Sequence, residues 1–213
     1  MRKPILIFLS LIICTFPLYA ELIEYPSPDG VEASSQYKVT VMQNGEEISP
    51  FVYVTHAQLP GYNLSETTSY SAFAFTGAVQ VKVTKLNGTF SECSVLPSSY
   101  RIRVEKQGNS AVFTLDQPRK VAVEFDGDIT HPMLVFADAP ETNVPAPDDP
   151  DVLYFGPGVH EVEGDKITPK AGQTVYLAPG AVVTALIHAH NTPDVTIKGR
   201  GILSGRKFGH TRG

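Results

Sequence analysis

The eight residues YLAPGAVV, Tyr176 to Val183, nearly repeat YFGPGVHE, Tyr154 to Glu161, which lies 22 positions earlier; IKGRGILS, Ile197 to Ser204, is a more degraded copy 21 positions later. A unit this short cannot bury a core alone, so it must stack on its neighbours, and that restricts the fold more than composition does. A helical repeat is excluded because every copy carries Gly and two carry Pro in mid-segment, between runs that favour strands. A period near 22 suits one coil of a right-handed parallel β-helix, in which like residues of successive coils line up. Aligned this way, Val152, Thr174 and Val195 form one column and Tyr154, Tyr176 and Ile197 a second. Gly158, Gly180 and Gly201 form a third, and Val159, Ala181 and Ile202 a fourth. The glycines then mark one corner turned three times.

The stretch from Gln36 to Ala137 follows a different rule. Tyr37, Val39 and Val41 alternate with polar residues, as do Val79, Val81 and Val83, then Tyr100, Ile102 and Val104, then Val121, Val123 and Phe125. Alternation puts every second side chain on one face of a strand. QNGE at Gln43, LNGT at Leu86, KQGN at Lys106 and FDGD at Phe125 supply turns between strands. With no helical period, this predicts an antiparallel β-sandwich, loosely immunoglobulin-like, of about 100 to 120 residues.

APETNVPAPDDPDV, Ala139 to Val152, interrupts with four prolines and a cluster of acids and reads as a stiff, extended linker. At the N-terminus, Arg2 and Lys3 precede an apolar run from Ile5 to Leu18 and a small residue at Ala20, the pattern of a secretory signal peptide. An uncleaved anchor is the alternative, because Leu18 is bulky where the cleavage site prefers a small residue. The expected division is residues 1–20 signal, 21–138 sandwich, 139–151 linker and 152–213 the start of the β-helix.

Charge narrows the partners. The formal charge is −5, and removing the signal takes two bases and no acid, leaving 15 bases against 22 acids and −7. A nucleic-acid partner is therefore not expected, nor is a membrane once the signal is cleaved. Of the 2 cysteines only Cys93 lies beyond the signal, so no internal disulfide is expected; within SECSVL it reads as a small core hydrophobe.

VLYFGPGVHEV, VYLAPGAVV and VTIKGRGILSG resemble the first coils of the pectin-lyase-like β-helix glycosidases, notably the dextranase and isopullulanase family and, less closely, the polygalacturonases. VAVEFDGD followed by MLVFADAPE is similar to the end of a dextranase-type N-terminal domain, and the resemblance runs over about residues 95–205. It implies an exported hydrolase whose aspartates, one acid and one base activating water, stand on later coils. The polygalacturonase signatures GHG and RIK are missing: Thr211 follows Gly209 and His210, and RIR at Arg101 lies in the sandwich half. No catalytic residue is carried over, and no substrate-contacting residue is assigned.

Other constellations have simpler explanations. Glu161 and Glu163 would share one strand face about 6.6 Å apart, near the spacing of glycosidase carboxylates. They and Asp165 project in parallel from a first coil, however, and do not converge on a bond. His188 and His190 could both reach a metal, but no third ligand follows at a recognisable spacing. Asp126 and Asp128, and Asp148, Asp149 and Asp151, read as turn and linker chemistry, not as calcium loops. No metal or cofactor is expected. Tyr53, Tyr62, Tyr70, Phe73 and Phe75 could include a sugar-stacking face, with Phe73 and Phe75 on one parity and Tyr70 on the other, although there is no Trp. Asn63 and Asn87 stand in N-x-S/T patterns.

Three coils at most, with no cap after the last, imply the N-terminal piece of a longer protein, with the sandwich covering the N-terminal end of the β-helix and able to flank its substrate groove. The expected activity is hydrolysis of a glucan or polygalacturonan backbone by the whole protein, secreted or periplasmic, with this fragment inactive. The alternatives are a carbohydrate-binding or surface protein of the same architecture, and a polysaccharide lyase.

Overall fold

The computed structural model describes residues 20–58, 65–205 and 207–208. The signal peptide through Tyr19, Tyr62, Asn63 and the Gly209–Thr211 segment lie outside the described residues. Among the described residues no helix is long and apolar enough to cross a membrane.

Among the described residues eleven strands build the N-terminal half: β1 Leu22–Glu24, β2 Tyr37–Gln43, β3 Glu46–Ile48, β4 Val52–Gln58, β5 Ser65–Phe75, β6 Val79–Lys85, β7 Cys93–Leu96, β8 Val104–Gln107, β9 Ser110–Leu115, β10 Arg119–Phe125 and β11 Met133–Asp138. They form two sheets. One runs β3-β2-β6-β9-β8; the other runs β1-β5-β11-β10-β7, with β4 beside β1 along the same edge of β5. Alternation decides what lies between them. Val39 and Val41, Val81 and Val83, Val121 and Val123, and Phe73 and Phe75 all point into one buried cluster, each large apolar side chain contributing about 1.5–3 kcal/mol. The β2–β3 hairpin closes through Asn44 and Gly45, whose φ angles of 50° and 88° give the doubly positive turn that suits strand twist.

Two expectations for this half need correction. The sandwich is not wholly antiparallel, since β11 pairs parallel with β5, from Met133 with Ser69 to Asp138 with Ala74. The chain leaves this sheet after β5 to add β6 to the other, and β11 returns beside β5 in the same direction. YRIRV is not a strand. Ser98–Tyr100 forms a 3-10 turn, Arg101 follows with φ of 53°, and pairing resumes only at Val104. Alternation over five residues was outweighed by the turn after Pro97, a residue with no N–H to give a sheet.

Among the described residues six strands make the C-terminal half: β12 Val152–Phe155, β13 Gly158–Ile167, β14 Thr174–Leu177, β15 Ala181–Ile187, β16 Thr196–Gly199 and β17 Ile202–Ser204. β12, β14 and β16 form one parallel sheet and β13, β15 and β17 another. Each repeat copy is thus a strand, a corner and a strand, stacked on its neighbour. Ile167, Val175, Leu177, Ala181, Val183 and Ala185 form the interior.

Between β12 and β14 the columns are those aligned on the sequence, Val152 with Thr174 and Tyr154 with Tyr176; elsewhere they differ by one residue. Thr174 pairs with Thr196, not Val195; Tyr176 pairs with Lys198, not Ile197. Gly158 pairs with Ala181 and Val159 with Val182, not with Gly180 and Ala181. The cause is the corner: residues 156–157 separate β12 from β13, residues 178–180 separate β14 from β15, and residues 200–201 separate β16 from β17. Strand hydrogen bonds fix the stacking, and the corners absorb the unequal lengths.

The three glycines therefore share a corner but serve different needs. A Cβ on Gly158 would meet nothing, whereas one on Gly180 would come within 2.5 Å of the Pro26 carbonyl and one on Gly201 within 2.7 Å of the Ala178 carbonyl. Gly180 makes room for the segment that follows β1, and Gly201 for the coil beneath it.

The segment read as a stiff, extended linker also acts as a strap. Tyr176, in register with Tyr154 and Lys198, projects from the coil and donates its hydroxyl to Glu141 at 2.8 Å. Lys198 Nζ donates to the Asn143 carbonyl at 2.8 Å, and Arg200 Nη2 to that of Ala139 at 3.3 Å. This strap and Pro26 tie the sandwich to the corners of the second and third coils. The sandwich flanks these coils along their side.

A candidate site between the sandwich and the coils

The outer face of the β1-β5-β11-β10-β7 sheet does not face bulk solvent throughout. Tyr53, Tyr70, Ala72, Lys120, Phe136 and Asp138 stand on it, and together with Tyr25 and Phe51 they meet the corner residues Gly180–Ala181 and Gly199–Ile202 around a cleft of about 250 Å³. Strand parity creates this face. Phe73 and Phe75 point into the core, so Tyr70 must point out, and pairing sets it opposite Tyr53.

The aromatic wall is continuous. Tyr53 and Tyr70 stack with centroids 5.1 Å apart and planes 11° from parallel; Phe51 meets Tyr53 edge-on at 4.7 Å, and Phe136 meets Tyr70 edge-on at 6.2 Å. Burial pushes the Tyr53 hydroxyl up to about 12 and raises that of Tyr70, so both remain neutral donors at ordinary pH.

The polar wall centres on Asp138. Its Oδ1 lies 3.7 Å from Lys120 Nζ and 3.9 Å from Arg200 Nη1, beyond hydrogen-bond length in both cases. The Asp138 side chain is only 19% exposed, against 63% for Lys120 at the mouth. Arg200 Nε and the Tyr25 hydroxyl are buried without a hydrogen-bond partner, a state that costs about 1–3 kcal/mol per group. Burial pushes Tyr25 up to about 12, and the neighbouring Arg200 side chain opposes it.

Asp138 is the one carboxylate lining the cleft among the described residues. Hydrolysis of a glycosidic bond needs two carboxyls on opposite sides.

The groups singled out in the sequence lie elsewhere, apart from Tyr53 and Tyr70. Glu161 and Glu163 are exposed on β13, where the register against β15 shifts between Glu161 and Lys166. Asp165, with φ of 57° in that stretch, pairs with Lys207 at 2.8 Å and raises the lysine's affinity for its proton. His188 and His190 follow the end of β15, exposed, with rings 6.3 Å apart and nearly perpendicular. Among the described residues no three His, Cys, Asp or Glu side chains gather as metal ligands.

Asp126 accepts the N–H groups of Ser91 and Glu92, and Asp128 accepts from Thr130 and His131. These bonds hold both carboxyls below the usual range. Asp149 accepts the N–H of Asp151 within its own turn, and Asp148 is exposed beside it. Asn87 is exposed, its amide donating to the Ser35 carbonyl. Cys93 packs against the sandwich core, and burial pushes its thiol up to about 11, as befits an unreactive side chain.

Tyr25, Phe51, Lys120, Phe136, Asp138 and Arg200 were not singled out beforehand. The parity of Tyr70 against Phe73 was a usable signal for one wall. Nothing local in the sequence joins Asp138 to Arg200, 62 positions on.

No family model and no curated protein matches the chain by sequence. Among solved structures the chain is similar to Dex49A from Penicillium minioluteum, with a TM-score of 0.61 and 20% identity over 86% of this chain and 48% of that one. The chain thus spans about half the length of that protein. At this level of identity the likeness shows the fold: an all-β chain with a β-sandwich followed by coils of a right-handed parallel β-helix.

Proposed function

We propose that the chain is the N-terminal part of an exported polysaccharide-degrading glycoside hydrolase of the dextranase type, acting on a glucan or polygalacturonan backbone by inversion. The observation that carries the reading is the fold likeness across 86% of the chain to a protein about twice as long. The end of the stack supports it. Val175 and Val183 are fully buried, while their third-coil counterparts Ile197 and Leu203 are 54% and 41% exposed. A further coil would cover both side chains and pair the edges of β16 and β17 that have no partner among the described residues. In this reading the acid and base carboxyls, about 6.5–9.5 Å apart for inversion, stand on such later coils, and the sandwich braces the first ones.

The test is to extend the reading frame past Gly213 in the source gene and assay the product on dextran, pullulan and polygalacturonate for new reducing ends. The longer protein should release them and the present chain should not. A stop codon directly after Gly213, or a longer protein inert on all three polymers, defeats the proposal. Calcium-dependent unsaturated products would identify a lyase instead. A second reading, a carbohydrate-binding protein without catalysis, is favoured by the aromatic cleft and its single carboxylate.

A further inference from the structure

We infer that the cleft between the sandwich and the coils is a binding subsite for one unit of a neutral sugar polymer, with Asp138 and Arg200 holding ring hydroxyls and the Tyr53–Tyr70–Phe136 wall taking the apolar face of the ring. This rests on the reading of the chain as part of a polysaccharide-active protein and adds a site and a ligand class to it.

Three observations carry it. First, both cations stand 3.7–3.9 Å from the Asp138 carboxylate, too far to satisfy it directly. A hydroxyl can donate to the carboxylate and accept from an ammonium or guanidinium at once, and so can bridge such a gap. Adjacent sugar hydroxyls offer that function in pairs. Second, the opposite wall is aromatic, and a sugar ring presents C–H groups on one face while its hydroxyls spread around the rim. Mostly apolar pockets with a few placed polar groups are what small polar ligands use. A space of about 250 Å³ is below the ~300–1,000 Å³ of drug-sized sites, which fits one sugar unit better than a long segment.

Third, the charges balance. Lys120 and Arg200 are offset by Asp138 in the cleft and by Glu141, which is held behind it by Tyr176 and is close enough to act on Tyr25. The whole chain carries −5. An anionic uronate gains nothing from such a site and would be repelled at longer range. A neutral hexose meets no such penalty, so the cleft favours a glucan over a polygalacturonan.

The experiment titrates the chain beyond residue 20 with isomaltotriose and, separately, with digalacturonate, followed by amide NMR shifts and calorimetry. Saturable isomaltotriose binding near ~1 mM is expected, a typical weak single-unit affinity. Shifts should centre on residues 136–138 and 199–202, and digalacturonate should bind at least ~10-fold more weakly, about 1.4 kcal/mol. Asp138→Asn and Tyr70→Ala should each weaken isomaltotriose at least ~10-fold, while His188→Ala, on the distant loop, should not. If Tyr70→Ala loses its folded spectrum, Lys120→Ala at the mouth replaces it.

The inference is overturned by an absence of saturation up to ~50 mM, by equal binding of digalacturonate, or by undiminished binding in folded Asp138→Asn. Reducing-end release by the longer protein is a separate measurement. Hydrolysis there without binding here removes the subsite alone, and binding here without hydrolysis there removes the hydrolase alone.

Discussion

The sandwich and the coils are both built from short strands, yet they close their cores in opposite ways. In the sandwich two sheets face each other and the gap is wide enough for aromatic rings: Tyr37 stacks on Phe125 at 5.5 Å, Phe90 meets Phe125 at 4.8 Å, and Phe73 lies 5.9 Å from Phe75. The fully buried residues of the coil interior are aliphatic, with Ala181 and Ala185 among them, and Phe155 packs against them half-buried. A sandwich covers its apolar faces with its own strands. A coil is covered only by the next coil, so its stability is a sum of neighbour terms and falls at the ends. That difference explains why the chain invests in a strap. Glu141, Asn143 and Ala139 take hydrogen bonds from Tyr176, Lys198 and Arg200, fastening the second and third coils to the part of the molecule that is closed.

If the two halves differ in this way, Phe73→Ala should cost about 3–5 kcal/mol. In denaturant titration with amide exchange, the loss should appear throughout the sandwich; simultaneous loss of protection in residues 174–187 would show that the halves unfold as one unit. Gly199→Ala should act on the coils alone. Its new Cβ would lie 1.9 Å from the Leu177 carbonyl oxygen, at φ of +123°. We expect a cost of about 1–3 kcal/mol, read as lost exchange protection over residues 196–204 while the sandwich stays protected.

Tyr176→Phe removes the strap bond to Glu141 and should cost about 1.5 kcal/mol without changing the sandwich spectrum. An unchanged midpoint for the coils would mean that the strap does not stabilise them.

The smallest effect is an acid one and belongs to the sandwich. Hydrogen bonds to Asp128 from Thr130 and His131, and to Asp126 from the backbone of Glu92 and Ser91, lower both carboxyls from 3.8. The unfolded chain then takes up protons first as pH falls. The contribution is complete above about pH 5 and fades as pH drops below about 4 and through the lower folded values. Melting of the sandwich followed between pH 6 and pH 2, with Asp128→Asn flattening part of the acid limb, checks the sign.

Much of the architecture was legible because it is written locally. Alternation at Val79–Val83 and Val121–Phe125 gave strands with the expected inward faces, and the repeat gave stacked strand-corner-strand units. YRIRV failed for a local reason too, since the turn after Pro97 sits where alternation alone would place a strand. The candidate site was half legible. The opposite parities of Tyr70 and Phe73 announced an outward aromatic, but Phe136, Asp138 and Arg200 carry no mark of meeting it.

By itself the sequence determined the two grammars, period two in the sandwich and period near 22 in the coils, because side-chain direction along a strand and glycine's backbone freedom act within a few residues. Tertiary structure decided the one-residue offsets between coils, the use of the proline-rich segment as a strap, and the cleft around Asp138. Each depends on which surface meets which across long separations: corners of unequal length yield to the hydrogen bonds between coils, and Pro26 settling against Gly180 brings the sandwich's outer face to Arg200.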